Sequence, residues 1–525
     1  MSKSTLPGLG QGWKPELAEL QQRRALTREL GGAEKTAIQR AKGKLTVRER
    51  IDRLLDAGTF REIGSIAGEG RYSPEGALES FSPSNLLFGR GRIDGRPVAI
   101  SADDFTVRGG AADAAIHEKQ IQAEQMANEL RIPIVRLLDG TGGGGSVKHI
   151  ETLGHTYVPA NPGWDWVTSN LMTVPVVCLG LGPIAGLGAA RLVSGHFSLL
   201  LRQGGFMFAA GPSIVSALGT PVTKEELGGA EVHARCGAVD DIAEDEDDAF
   251  AKARRFLSYL PSSVDGLSER ATPKDTVDRC EPWLDEVVPR DRRQVYKMRR
   301  ILAGVLDEGS FFEMGRSWGK SVITGLARLD GWPVAIVASD PMIYGGCWTA
   351  DASQKLTRFI ELAETFHLPV VHFVDIPGIL IGVQAERAGT LRHGARALAS
   401  VYQATVPWCS IIVRKAFGVG GASMMNHTRF RYRYAWPSGD WGSLPLEGGI
   451  EAAYKAQLEA AAEPAVLREQ IAQRLNAVRS PFRSAEKFSI EEMIAPSQTR
   501  PLLCEFANLA APLRRSGRAL FGLRP

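Results

Sequence analysis

The chain has 525 residues, 44% of them hydrophobic and 23% charged, and 62 basic against 59 acidic side chains leave a formal charge of +3. That length predicts more than one domain, and that balance points away from a nucleic-acid partner, although Arg514, Arg515, Arg518 and Arg524 make the tail locally basic. No apolar run reaches the ~18 residues of a membrane span, the N-terminus lacks a signal-peptide core, and the six cysteines are widely spaced. The expectation is a soluble cytoplasmic protein with no metal site and no membrane contact.

Taken in chain order, the first clear element is a β-branched run around Val98–Ile100, read as a strand and followed by a Gly-Gly turn at 109–110. A helix follows, then a Pro-led apolar strand (IPIVRLL, 132–138) and a second buried strand (TVPVV, 173–177). That strand runs into the turn LGPIAGLGAA (181–190). The acidic stretch 240–248 reads as a solvated face leading into a charged helix, and 262–289, with Pro273 and Pro282, reads as a linker.

Beyond the linker the same elements recur. RIDGRPVAISADDFTVRGG (92–110) matches RLDGWPVAIVASDPMIYGG (328–346) at eleven of nineteen positions without a gap. The offset of 236 also pairs Lys119 with Lys355 and Asp139 with Asp375. It then slips to 232, so that TVPVV faces TVPWC (405–409) and Gly186-Leu187-Gly188 faces Gly418-Val419-Gly420. In the second copy Leu356, Phe359, Ile360, Ala363 and Phe366 mark the helix, and LPVVHFV (368–374) the strand. The chain is therefore a duplicated α/β domain and not a short-period repeat array.

No G-x-S-x-G elbow, HExxH or P-loop is present, and no Rossmann G-x-G-x-x-G follows a first strand. Nine histidines stand singly, and His196 and His427 read as structural. The chemistry-bearing feature is a glycine turn after a buried strand in each copy, LGPIAGLGAA and RKAFGVGGAS (414–423). Glycine there lets a ligand approach the backbone and leaves first-turn N–H groups pointing outward, where they can stabilise an oxyanion. Two such turns suit a reaction with two carbonyl oxygens to polarise. The aromatic stretch 429–449, with Tyr432, Tyr434, Trp436 and Trp441, fits either core or substrate wall.

KGKLTVRERIDRLLDAGTFREIG (42–64), VTKEELGGAEVHARCGAVDDIAEDEDDAF (222–250), FVDIPGILIG (373–382) and RHGARALASVYQATVP (392–407) resemble the carboxyltransferase (β) subunits of propionyl-CoA and methylcrotonyl-CoA carboxylases. The resemblance covers about 31–512. It implies two tandem crotonase-like (ββα superhelix) domains, an acyl-CoA side at 24–270 and a biotin side at 271–515. It also implies a β6 ring within an α6β6-like holoenzyme, with sites formed between neighbouring subunits. The biotin carboxylase and biotin carboxyl carrier (α) subunit is then a separate partner that brings carboxybiotin. In the implied reaction, biotin released from carboxybiotin removes a proton from the α- (or vinylogous γ-) carbon of acyl-CoA, and the chain holds the enolate.

Carried over residue by residue, the oxyanion pairs fall on Gly186 with Leu187 and on Val419 with Gly420. Acyl-CoA contacts fall on Lys119, Gly142, Gly143 and Ala422, and biotin-side contacts on Gly418 and Gly421. Leu187 departs from the family's Gly-Gly and is strained if its φ is positive, although Val419 holds the matching place. The family's Ser-Gly-Gly-Ala-Arg becomes Gly140-Thr141-Gly142-Gly143-Gly144, which removes an arginine. The small Ala422 implies a roomier acyl pocket. Two other readings stay open: a decarboxylase or transcarboxylase subunit of the same fold, and a non-catalytic acyl-CoA-binding scaffold.

Overall fold

The computed structural model describes residues 12–111, 116–140, 150–151, 154–156, 158–273, 275–523 and 525. They form two compact units: one comprises residues up to 170, 176–230 and 243–251, the other 171–175, 231–242 and 252–525.

The first ten strands in chain order are β1 (Arg61–Ile63), β2 (Gly68–Tyr72), β3 (Leu78–Pro83), β4 (Leu86–Ile93), β5 (Arg96–Asp103), β6 (Ile134–Gly140), β7 (Val176–Ala185), β8 (Phe197–Leu201), β9 (Phe206–Phe208) and β10 (Asp241–Ala243), of which β1 to β9 lie in the first unit. One sheet runs β1-β4-β5-β6-β7-β8-β10, with β9 beside β7, and β2-β3 is a separate hairpin. β5 to β8 pair in parallel. Parallel strands buried on both faces need continuous apolar runs, and Val98, Ala99, Ile100, Ile134, Val135, Val176 and Val177 are fully buried.

The second unit repeats the plan with β11 (Phe312–Met314), β12 (Val322–Leu329), β13 (Trp332–Ser339), β14 (Val370–Ile376), β15 (Trp408–Phe417), β16 (Tyr432–Ala435), β17 (Asp440–Gly442) and β18 (Glu492–Met493). Its order is β11-β12-β13-β14-β15-β16-β18, with β17 beside β15. Both sheets carry the turn expected after the first long strand, at Arg108–Gly110 and Tyr344–Gly346. Gly110 and Gly346 are required there. Each has positive φ, and a Cβ would lie 2.6 Å from the Asp139 carbonyl or 2.3 Å from that of Asp375.

The matched aspartates at the ends of β6 and β14 are both fully buried, and each unit neutralises its own differently. Asp375 takes Arg414 from β15 (3.1 Å), the Tyr296 hydroxyl (2.8 Å) and the Lys415 N–H (3.0 Å). Asp139 instead takes Arg50 (2.8 Å) and Lys44 (2.6 Å), and Arg50 also grips Glu246 (2.9 Å). The place of Arg414 is Gly182 in the first copy, where a Cβ would sit 1.9 Å from Asp139 Oδ1. The place of Lys415 is Pro183, which has no N–H, and among the described residues Asp139 Oδ1 is correspondingly a buried acceptor without a donor. Pro183→Ala restores the missing N–H. An unpaired buried acceptor costs ~1–3 kcal/mol and losing proline returns ~0.4–1 kcal/mol to the unfolded chain, so a net gain of about 1 kcal/mol is expected. A rise in the thermal unfolding midpoint checks it; a fall means the N–H does not reach Asp139.

Two segments differ from their sequence reading, and a third falls within one of the two readings left open for it. The acidic stretch is not only a solvated face, because Glu246 is buried against Arg50 and the Asp240 backbone carbonyl accepts the Gly315 N–H (2.9 Å). The supposed linker is packed: Leu284 is buried, and Arg279 and Arg500 tie it to the Leu306 and Thr276 carbonyls. In the aromatic stretch Tyr432, Tyr434 and Trp436 belong to the core, whereas Trp441 is half-buried and donates to Ser484 (3.1 Å). Trp436 is fully buried and donates to Thr499 (3.0 Å), while Tyr432 and Tyr434 pack on the same cluster.

Candidate active site

In the first unit β7 ends at Ala185 and the chain turns through Gly186, at φ 62° and ψ −126°, into the helix Leu187–Val193. Only glycine reaches that backbone conformation cheaply. The positive φ thus falls on Gly186 and not on Leu187, and leucine is accommodated without strain. The Gly186 N–H donates to the Phe208 carbonyl on β9 (3.2 Å). Among the described residues, the N–H groups of Leu187 and Gly188 have no intramolecular acceptor, as the first turn of a helix leaves them.

The second unit repeats this arrangement. β15 ends at Phe417, Gly418 has φ 58°, and a short helix spans Gly418–Ala422. Val419 points outward at 55% exposure, like the half-exposed Leu187. The Val419 and Gly420 N–H groups also lack an acceptor among the described residues. Gly421 is glycine for want of space, since a Cβ would meet the Ala416 carbonyl carbon at 2.4 Å. Ala422 is exposed. The 232-residue offset superposes Val419-Gly420 on Leu187-Gly188, one residue beyond the pair carried over from the resemblance.

Lys119 is buried, and its Nζ donates to the carbonyl of Gly64 (3.4 Å), a turn residue at φ 67°. Its twin Lys355 does the same for Gly315 and Trp318 (both 3.0 Å). Burial pushes the two amines down to about 8 and about 7. Each lysine thus braces a glycine turn in its own unit. Gly142 and Gly143 lie outside the described residues. His196 is buried, its Nδ1 accepting the Val176 N–H (3.0 Å), and the His427 ring lies tilted by 31° against that of Tyr402, 4.3 Å between centroids.

Sequence reasoning passed over Gly188, although the internal alignment already set it against Gly420. It also passed over Arg136 and His372, polar residues inside the otherwise apolar strands IPIVRLL and LPVVHFV. Among the described residues no group of three His, Cys, Asp or Glu side chains could hold a metal ion, and no helix is long and apolar enough to cross a membrane.

Comparison with known proteins adds to this geometry. The carboxyl transferase domain model matches residues 38–518. The carboxyltransferase subunit of propionyl-CoA carboxylase from Haloferax mediterranei is 34% identical over 508 residues, covering 95% of this chain and 96% of its own. The methylmalonyl-CoA carboxyltransferase 12S subunit of Propionibacterium freudenreichii subsp. shermanii is 32% identical over 506 residues, covering 95% and 94%. The transcarboxylase 12S hexamer, solved with methylmalonyl-coenzyme A and methylmalonic acid bound, superposes with a TM-score of 0.84 at 30% identity, covering 98% of both chains. A duplicated crotonase-like fold, a matched pair of glycine turns and similarity over nearly the full length converge: the chain belongs to the carboxyl transferase domain family, among the carboxyltransferase subunits of biotin-dependent acyl-CoA carboxylases.

Proposed function

We propose that this chain catalyses carboxyl transfer to the α- (or vinylogous γ-) carbon of an acyl-CoA, with residues 24–270 serving the acyl-CoA side and 271–515 the biotin side. The observation that carries the reading is the pair of matched turns whose first-turn amides lack acceptors among the described residues. Leu187 and Gly188 donate to the thioester oxygen as enolate charge develops on it, and Val419 and Gly420 donate to the ureido oxygen of biotin. Because Gly186 already donates to Phe208, its part is conformational: its positive φ aims the two amides that follow. Amides fixed before the reaction stabilise developing charge without reorganising. Carboxybiotin, when brought by a separate α subunit, supplies the carboxyl group and the base.

On the biotin side Gly418, at positive φ, lets the second turn form and Gly421 lets it pack tightly on Ala416, and the small, exposed Ala422 beside them leaves room for a longer or branched acyl chain. Lys119 supports the acyl-CoA side through the Gly64 turn, and Gly142 and Gly143 are carried as backbone contacts to the same substrate. The subunit self-associates into a β6 ring. Leu187, the departure that favoured a non-catalytic scaffold, costs the turn nothing because its φ is negative.

The test is reconstitution with a biotinylated partner and ATP, bicarbonate and a panel of acyl-CoAs. ATP-dependent fixation that needs both subunits is expected, with a chain longer than acetyl preferred. Fixation by the isolated chain sinks the partner assignment. The likeness to transcarboxylase 12S favours a second reading, exchange between acyl-CoA and a carrier without ATP, and the same assay run without ATP separates the two.

A further inference from the structure

In the second unit the Met424 carbonyl accepts from three buried side chains: Trp408 Nε1 (2.8 Å), Ser410 Oγ (2.5 Å) and His372 Nδ1 (3.1 Å). His372 is 1% exposed, and burial pushes its pKa down to about 4. The imidazole is therefore neutral, and because a carbonyl only accepts, the proton sits on Nδ1. Met424 is the second residue past the helix Gly418–Ala422. Between them Ser423 folds back, its N–H donating to the Val419 and Gly420 carbonyls (both 3.2 Å) and its Oγ to that of Val419 (2.7 Å). Hydrogen bonds from β14 and β15 to Met424, and from the adjoining Ser423 to the Val419 carbonyl, thus tie the two strands to the peptide unit that presents the Gly420 N–H.

The first unit performs the same task with different chemistry. Arg136 holds the place of His372, and Cys178 that of Ser410. Arg136 donates to the carbonyls of Arg191 (3.1 Å) and Ser194 (2.6 Å), and the Cys178 thiol donates to that of Arg191 (3.4 Å). These carbonyls close the helix Leu187–Val193. A cation suits them, since the last turn of a helix carries partial negative charge.

Helices of five and seven residues are too short to hold themselves, and Gly418, Gly420 and Gly421 make the second one especially pliable. Oxyanion donors, in contrast, must be held to within tenths of an ångström. We propose that His372, Ser410 and Trp408 in the second unit, and Arg136 and Cys178 in the first, are positioning residues that fasten the far end of each short helix and so keep its first-turn amides aimed. The inference rests on the carboxyltransferase reading above.

The test uses the full chain and its reconstituted complex. The double variant His372→Leu/Ser410→Ala removes two of the three clamps, and His372→Asn keeps an N–H near the Nδ1 position. Misplacing a reacting group by about 1 Å costs up to ~10²-fold, so kcat in the double variant should fall roughly 10-fold, with KM for acyl-CoA within about twofold of wild type. His372→Asn should retain most of the activity that His372→Leu loses. Amide hydrogen exchange in the peptide covering 418–424 should accelerate, while that in 187–193 stays as in wild type. Unchanged exchange in 418–424, or equal kcat in all variants, overturns the inference alone. A wild-type complex without carboxyl transfer overturns the functional reading and this inference with it.

Discussion

Leu187→Pro should lower kcat for carboxyl transfer by roughly 10²–10³-fold, the usual cost of losing one oxyanion donor, while leaving the fold and acyl-CoA binding in place. Leu187 is the first residue of its helix, where proline is well tolerated because its missing N–H has no intrahelical partner and its φ is already helical. The residue before a proline is usually restricted by its Cβ, but here it is Gly186. The substitution therefore removes one backbone N–H and little else. Leu187→Ala is the control: it deletes the side chain, keeps the N–H and should stay within a few-fold of wild type. Steady-state kinetics on both variants, with circular dichroism to confirm folding, decide the matter. A folded proline variant with near-wild-type kcat shows that this amide does not face the reacting oxygen. If the alanine variant loses as much as the proline variant, the side chain and not the N–H matters.

Arg136→Leu should destabilise the first unit by ~3–5 kcal/mol, the range for removing one partner of a buried ion pair. Arg136 and Glu124 are 1% and 2% exposed and form a bidentate pair, Nε to Oε1 at 2.7 Å and Nη2 to Oε2 at 2.8 Å. Asn170 also donates to Glu124 (2.9 Å), and Asn128 to Asn170 (2.9 Å), so the pair anchors a polar network inside an apolar sheet. Glu124→Leu should cost a comparable amount by stranding the guanidinium. The double variant Glu124→Leu/Arg136→Leu strands neither charge, and its loss should fall well short of the sum of the two singles. What remains is the loss of donors to the Arg191 and Ser194 carbonyls. Denaturant unfolding of all four proteins measures the coupling directly. Additive losses would show that the two side chains act independently, against the bidentate geometry.

Much of the architecture was legible in the chain itself. The repeat stays in register over about a hundred residues, which sets the duplication, and the apolar runs at 98–100, 134–138, 334–338 and 370–374 mark the buried parallel strands. The glycine turns were legible because their requirement is local: positive φ at Gly186 and Gly418 is a property of single residues. Packing could not be read in the same way. The segment 262–289 has linker composition, yet Leu284 is buried and Arg500 holds the Thr276 carbonyl from 224 residues away.

By itself, then, the sequence determined the duplicated α/β fold and the carboxyltransferase family, and it picked out two glycine turns as candidates for backbone chemistry. The tertiary structure decided which amides of the first turn are left without an acceptor among the described residues. Phe208, on a strand that sequence periodicity did not reveal, takes the Gly186 N–H and leaves those of Leu187 and Gly188. It also decided how the matched aspartates are paired, Asp139 by Arg50 from 89 residues away and Asp375 by Arg414 from 39. Local conformational preference is written residue by residue, whereas a hydrogen-bond partner is chosen by whatever the folded chain brings within about 3 Å.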